Sequence, residues 1–172
     1  MRRSTKAYLI VVVAGAVIAL AGCGDKGSGG NAGSGEQGSL NVDNCKLVTK
    51  EEVSALAGKG LEAGEDGPLG CPFTEPGEML GLFSIRSYKQ GGDAKAAAAK
   101  LAPTLEVIKL DGVGDDAVAL ADSDGSVNFI IARKGDKFVE LVMTFLDITK
   151  DSASLKKAST LASTALGRLV AA

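Results

Sequence analysis

Between Gly24 and Ser39 lie sixteen residues, GDKGSGGNAGSGEQGS, that hold seven glycines and no large apolar side chain. Such a stretch cannot bury enough surface to offset the entropy of ordering it. It is expected to be a flexible coil with a reach of about 5–6 Å × √16, roughly 20–24 Å. The chain of 172 residues is thereby divided into a leader and a C-terminal part. Any core must be built from residues 40–172, the size of one ordinary domain. Composition then removes several chemistries. With no His, the chain cannot form Ser-His-Asp or Cys-His nucleophilic centres, and nothing else titrates near neutrality without heavy tuning. With 19 Lys+Arg against 21 Asp+Glu and no basic block, it lacks the cationic patch that neutralises phosphates, so no nucleic-acid partner is expected.

The leader, residues 1–22, reads as a signal peptide. Arg2, Arg3 and Lys6 precede a 14-residue apolar run from Tyr8 to Ala21. At ~1.5 Å per residue that run covers about 21 Å, short of a hydrocarbon core about 30 Å thick, so a permanent span is not expected. The run ends in Leu20-Ala21-Gly22-Cys23, which resembles the lipobox of bacterial lipoproteins. There the Cys becomes the first mature residue and its thiol takes a diacylglyceryl group. Cys23 is accordingly the expected lipid-attachment residue, with residues 23–39 forming a lipidated tether. Arg2-Arg3 gives a partial match to a twin-arginine export signal. Removing residues 1–22 takes away three basic and no acidic side chains, which leaves 16 against 21, a formal −5. An anionic leaflet repels such a body, so lipid must do the tethering, and two or three acyl chains hold where one does not. The expected location is the cell membrane, on its extracytoplasmic face.

Two cysteines remain, Cys45 and Cys71. An exported chain meets an oxidising compartment, so a structural disulfide is expected between them. Closing a 26-residue span contributes about 3.5 kcal/mol in the loop-entropy model. A metal site would need further soft ligands, and with no His none are present, so neither metal nor cofactor is expected.

The periodicities then predict an α+β domain. Thr49-Lys50-Glu51-Glu52 is a capping box with Val48 and Val53 as its staple, opening a helix to Ala57 that Gly58 stops. Extended segments follow at Cys71-Pro72-Phe73 and Met79 to Tyr88, with a turn at Glu75-Pro76-Gly77. Gly91-Gly92-Asp93 caps an Ala-rich helix from Ala94 to Ala102, which Pro103 ends. Leu105 to Leu110, Ala117 to Ala121, Ser126 to Arg133 and Lys137 to Leu146 read as strands. Leu155, Ala158, Ala162, Ala165, Leu166 and Leu169 share one face of a last helix, Asp151 to Leu169. The order α-β-β-α-β-β-β-α implies an antiparallel sheet with helices packed on one face. In the hairpin of the last two segments, two core-facing rows require Ile131 opposite Val139, Phe129 opposite Leu141 and Val127 opposite Met143. Phe145 would extend the second row. A two-residue Gly135-Asp136 turn would instead set Ile131 against Glu140, at an expected desolvation cost.

Cys45-Lys46-Leu47-Val48-Thr49, the helix ending near Gly58, Cys71-Pro72-Phe73 and Val113-Gly114-Asp115-Asp116-Ala117 together resemble small actinobacterial lipoproteins grouped as "domain of unknown function 3558". Phe73 stands where that group often carries Trp. The resemblance spans about 125 residues and implies an exported α+β domain with no established activity.

Chemical constellations are few. Asp122-Ser123-Asp124-Gly125 recurs in calcium loops, but Leu120 and Ile131 occupy the first and last ligand positions, so it reads as a turn. Asp115 and Asp116 are adjacent and would diverge on a strand. Gly112 and Gly114 lack the third glycine and the helix of a dinucleotide fingerprint. Lys156-Lys157 reads as a solvated helix face. No catalytic residue is assigned. The expected function is a membrane-anchored binding or sensor-like module with an exposed apolar patch or cleft, facing an envelope protein or a small apolar ligand. The alternative is an accessory protein scaffolding an envelope complex. An enzyme would need Asp115, Asp116 or Glu140 gathered in one cleft.

Overall fold

The computed structural model describes residues 38–172 except Met79 and Phe145. The leader, Cys23 and residues 24–37 of the linker lie outside the described residues, as does the Phe145 position of the expected apolar row. Among the described residues no helix is long and apolar enough to cross a membrane.

The domain is α+β and its sheet antiparallel. Its strands are β1 (Gly38–Ser39), β2 (Glu62–Ala63), β3 (Cys71–Thr74), β4 (Phe83–Lys89), β5 (Glu106–Lys109), β6 (Asp116–Ala121), β7 (Val127–Lys134) and β8 (Lys137–Met143). The helices are α1 (Lys50–Ala57), α2 (Ala94–Leu101) and α3 (Ala153–Ala171), with a short 3-10 turn at Asn44–Lys46. Four strands separate α2 from α3, one more than the condensed order, and β1 and β2 are additional. Gly38 and Ser39, expected in the linker, pair with Lys89 and Tyr88 and so belong to the sheet. The sheet runs β2-β3-β4-β8-β7-β6-β5, with β8 in the middle.

Each helix starts where its cap dictates. At α1 the Glu52 amide donates to the Thr49 hydroxyl and the Thr49 amide to the Glu52 carboxylate, the reciprocal capping box. Gly58 closes the helix in the left-handed region at φ 70°. Asp93 accepts from the Ala96 amide at the start of α2, and Ser152 from the Leu155 amide at the start of α3. The whole expected α3 face is buried, and Leu161 joins it.

Helices on one face is corrected by the structure. α1 and α3 cover one side, over a core of Phe73, Phe83, Ile85, Val139, Leu141, Met143, Ile130 and the small residues Ala117, Ala119 and Ala121. α2 lies on the other side, where Ala94, Ala97 and Ala98 pack with Val118, Leu120, Ile131, Phe138 and Tyr88. At β6 and β7 the sheet is therefore covered twice, and consecutive Ile130 and Ile131 are both buried, on opposite faces.

That double coverage also overturns the expected hairpin register. Phe129 pairs with Val142, Ile130 with Leu141, Ile131 with Glu140 and Ala132 with Val139, across a two-residue Gly135-Asp136 turn with Gly135 at φ 63°. The row facing α3 is Ile130 and Ala132, while Phe129 and Ile131 face α2. An extra residue, Asn128, where Ala121 pairs with Val127 and Leu120 with Phe129, returns Val127 to the α3 side. The feared carboxylate burial does occur, but Arg86 answers it.

Candidate functional site

Glu140 is only 3% exposed, on the α2 side of β8. Register places Arg86 of β4 directly opposite, and its Nη2 donates to Glu140 Oε2 at 2.8 Å. The same alternation along β4 puts Tyr88 on this face, and Gln90 follows just beyond the strand. The Tyr88 ring stacks on Phe138 with centroids 5.3 Å apart, and the Arg86 guanidinium sits 5.5 Å from the Tyr88 centroid. Burial, reinforced by the Glu140 carboxylate, pushes the Tyr88 hydroxyl well above its ordinary range, so it is a neutral donor at every physiological pH. Gln90 is 6% exposed, and its side-chain Nε2 finds no hydrogen-bond partner; neither does Arg86 Nε.

This cluster is reachable because α2 is short. Its last turn, with Ala97, Lys100 and Leu101, forms one wall of a cavity of about 280 Å³ whose other walls are Arg86, Tyr88, Gln90 and Glu140. Arg86 and Tyr88 also line a second cleft of about 320 Å³, reaching Asn44 and Asp66. There Asn44 donates to Asp66 from its backbone and its side chain and accepts from the Ser87 hydroxyl, which pins the 3-10 turn to β4. Further along the same uncovered face, Pro72 and Val142 border a third cleft with Leu69. Leu69 is 80% exposed and Leu80 is 71% exposed.

The residues singled out from the sequence take structural roles. Cys45 and Cys71 are disulfide-bonded with Cα atoms 5.0 Å apart, and the bridge ties the 3-10 turn to the start of β3. Asp115 accepts from the Gly135 amide at the β7–β8 turn, whereas Asp116 accepts from the Ala94 amide at the start of α2. With Glu140 on Arg86, the three carboxylates serve three different partners. Asp122 and Asp124 build a turn, through the Gly125 amide on the Asp122 carbonyl and the Ser126 amide on the Asp124 carboxylate. Among the described residues no group of His, Cys, Asp and Glu is arranged to hold a metal. Lys156 and Lys157 are exposed. Lys156 borders a wider groove of about 650 Å³ between the β5 end and α3, whose Lys109 and Lys150 pair with Asp111 and Glu106 at its rim.

The sequence does not single out Arg86, Tyr88 or Gln90 as site residues, and it offers Glu140 as one of three carboxylates and as the residue a short turn sets against Ile131. The available signal was the spacing 86, 88, 90, which on a strand puts all three on one face. The comparisons add no relative: no family model, no curated protein and no solved structure matches the chain.

Proposed function

We propose that this chain is a lipid-anchored, extracytoplasmic binding module without catalytic activity, related to the lipoproteins grouped as domain of unknown function 3558. In this reading Cys23 carries the lipid, the glycine-rich segment holds the domain off the membrane, and the uncovered half of the α2-side sheet face binds. The observation that carries it is a polar cluster with unspent hydrogen-bond donors, set on a face that α2 leaves partly open. Buried polar groups are normally paired, so one left unpaired calls for an explanation, of which an ordered water or a bound group is one. Two of the three such atoms among the described residues, Arg86 Nε and Gln90 Nε2, belong to this cluster, and the third is Arg133 Nε. Leu69, exposed beside this face, favours an envelope protein as the partner.

Two measurements test the two halves. Cys23→Ser is expected to abolish fatty-acid incorporation and leave the precursor unprocessed, because a hydroxyl does not replace the thiol in the transfer. Wild-type protein that is unmodified by mass spectrometry would end the anchoring half. A photo-crosslinking side chain at Ser84, on the open face, is expected to capture a discrete envelope component in native membranes, whereas one at exposed Lys157 is not. Equal capture at both positions would refute the assignment of the face.

A further inference from the structure

Of the cavities described, the one at the end of α2 has the most specific chemistry. Three of its lining residues carry charged side chains: Arg86, Lys100 and Glu140. Glu140 is committed to Arg86 at 2.8 Å, and Lys100 has no carboxylate within ion-pair distance among the described residues. The lining therefore carries one positive charge in excess. Two buried donors, Gln90 Nε2 and Arg86 Nε, lack acceptors, and the Gln90 side chain as a whole is more than nine-tenths buried. Around them stand the Tyr88 ring, Ala97 and Leu101, which keep the local dielectric low and strengthen any charge-assisted bond.

We propose that this cavity binds a small carboxylate-bearing ligand, whose oxygens accept from Gln90 and the Arg86 edge and whose charge meets the Lys100 ammonium. A cation would face two positive side chains with the one carboxylate already spent. A purely apolar ligand would leave both donors unpaired, the costlier outcome. At about 280 Å³ the cavity lies at the low end for small-molecule sites, so the ligand is a compact acid rather than a chain or a nucleotide. The inference rests on the reading that this face binds, but not on the lipid anchor.

The chain supplies its own reporter. It contains no Trp and two Tyr, Tyr8 and Tyr88, so in a chain carrying Tyr8→Phe changes in tyrosine emission arise at Tyr88 in the cavity wall. Purified full chain with that substitution, in detergent, is titrated with sodium acetate, succinate and citrate, each against sodium chloride at matched ionic strength. At least one acid is expected to give a saturable change that chloride does not. Lys100→Glu and Gln90→Leu should each weaken it about tenfold, the worth of one charge-assisted or buried hydrogen bond. Lys156→Glu, on α3 across the sheet, should leave it unchanged. Lys100 is exposed, so its variant folds and decides the matter even if Gln90→Leu does not. No saturable response to any acid, or unaltered affinity in Lys100→Glu, overturns the proposal. A Ser84 crosslink that persists alongside that negative result would leave the partner-binding function standing.

Discussion

Replacing Arg86 by Met should cost about 3 kcal/mol. Removing one partner of a buried ion pair leaves an uncompensated charge, which typically costs 3–5 kcal/mol. Here the Glu140 side chain is 3% exposed and Arg86 26%, so water reaches the pair from one side only and the lower end of that range applies. The reciprocal change is cheaper. In Glu140→Leu the partly exposed guanidinium turns toward solvent, for a loss of about 1 kcal/mol. Removing both, as Arg86→Met with Glu140→Leu, replaces the pair by apolar side chains between Tyr88, Phe138 and Ile131, and should fall within about 1 kcal/mol of wild type. The three values imply a coupling of about 3 kcal/mol, far outside the 0.3–0.5 kcal/mol within which independent sites add. Urea unfolding followed by far-ultraviolet circular dichroism, with m-values checked for constancy, measures all three. Additive single losses, or an Arg86→Met loss under about 1 kcal/mol, would mean that the Glu140 charge is not held by Arg86 and that something else selects the hairpin register.

Arg168 donates to both oxygens of Glu52 and to the Leu47 carbonyl, and its bonds to Glu52, with a smaller contribution from the Thr49 amide, hold that carboxyl below its ordinary value of 4.5 against the opposing effect of burial. A depressed carboxyl contributes stability above its unfolded pKa and loses it as pH falls through the folded one. Arg168→Ala should therefore cost about 1 kcal/mol at pH 7, modest because both side chains are about a third exposed, and the gap from wild type should narrow below about pH 4.5 in unfolding curves taken across that range. Cys45→Ser with Cys71→Ser should lose about 3.5 kcal/mol in the loop-entropy model, read as a lower urea midpoint. Gly114→Ala should be far worse than Gly135→Ala, although both have positive φ. A Cβ at Gly114 would fall on the Arg133 carbonyl oxygen and the Leu166 side chain, whereas one at Gly135 meets open space. The second should cost about 1 kcal/mol for its backbone alone and the first several times that, as thermal melts would show. Equal losses would refute the steric argument.

What was legible in the sequence was local. Thr49, Glu52 and Gly58 declare α1 because cap chemistry acts within a few residues, and the six apolar positions of α3 declare its buried face by a period that needs no partner. The hairpin register failed on a nonlocal premise, that one face of the sheet was dry and the other wet. The continuous run Phe129-Ile130-Ile131-Ala132 was the contrary signal, since a strand covered on both faces has no polar alternation to display. Under that reading the short Gly135-Asp136 turn needs no sacrifice of a core row, and the only apparent penalty is Glu140. The penalty is removed by Arg86, 54 residues away in the chain, and no pattern within either strand reveals that they are cross-strand neighbours.

The candidate site follows from a length that the sequence does contain. Gly92 and Pro103 confine α2 to eight residues, about 12 Å along its axis and about 10 Å across. Seven strands in order span six gaps of about 4.8 Å, roughly 29 Å. One short helix cannot cover that width, and α2 is held over β6 and β7 because Asp116 of β6 caps its first amide. The face over β4 and β8 must then be dressed by the side chains of the strands themselves. That is where Arg86, Tyr88 and Glu140 stand with Gln90 beside them, polar enough to meet water and too enclosed by α2 to be fully solvated. Extending α2 by a turn, through replacement of Pro103 with Ala, should carry helix over this cavity and reduce binding there without touching a lining residue. Undiminished binding with a demonstrably longer helix would break the link between the length of α2 and the site.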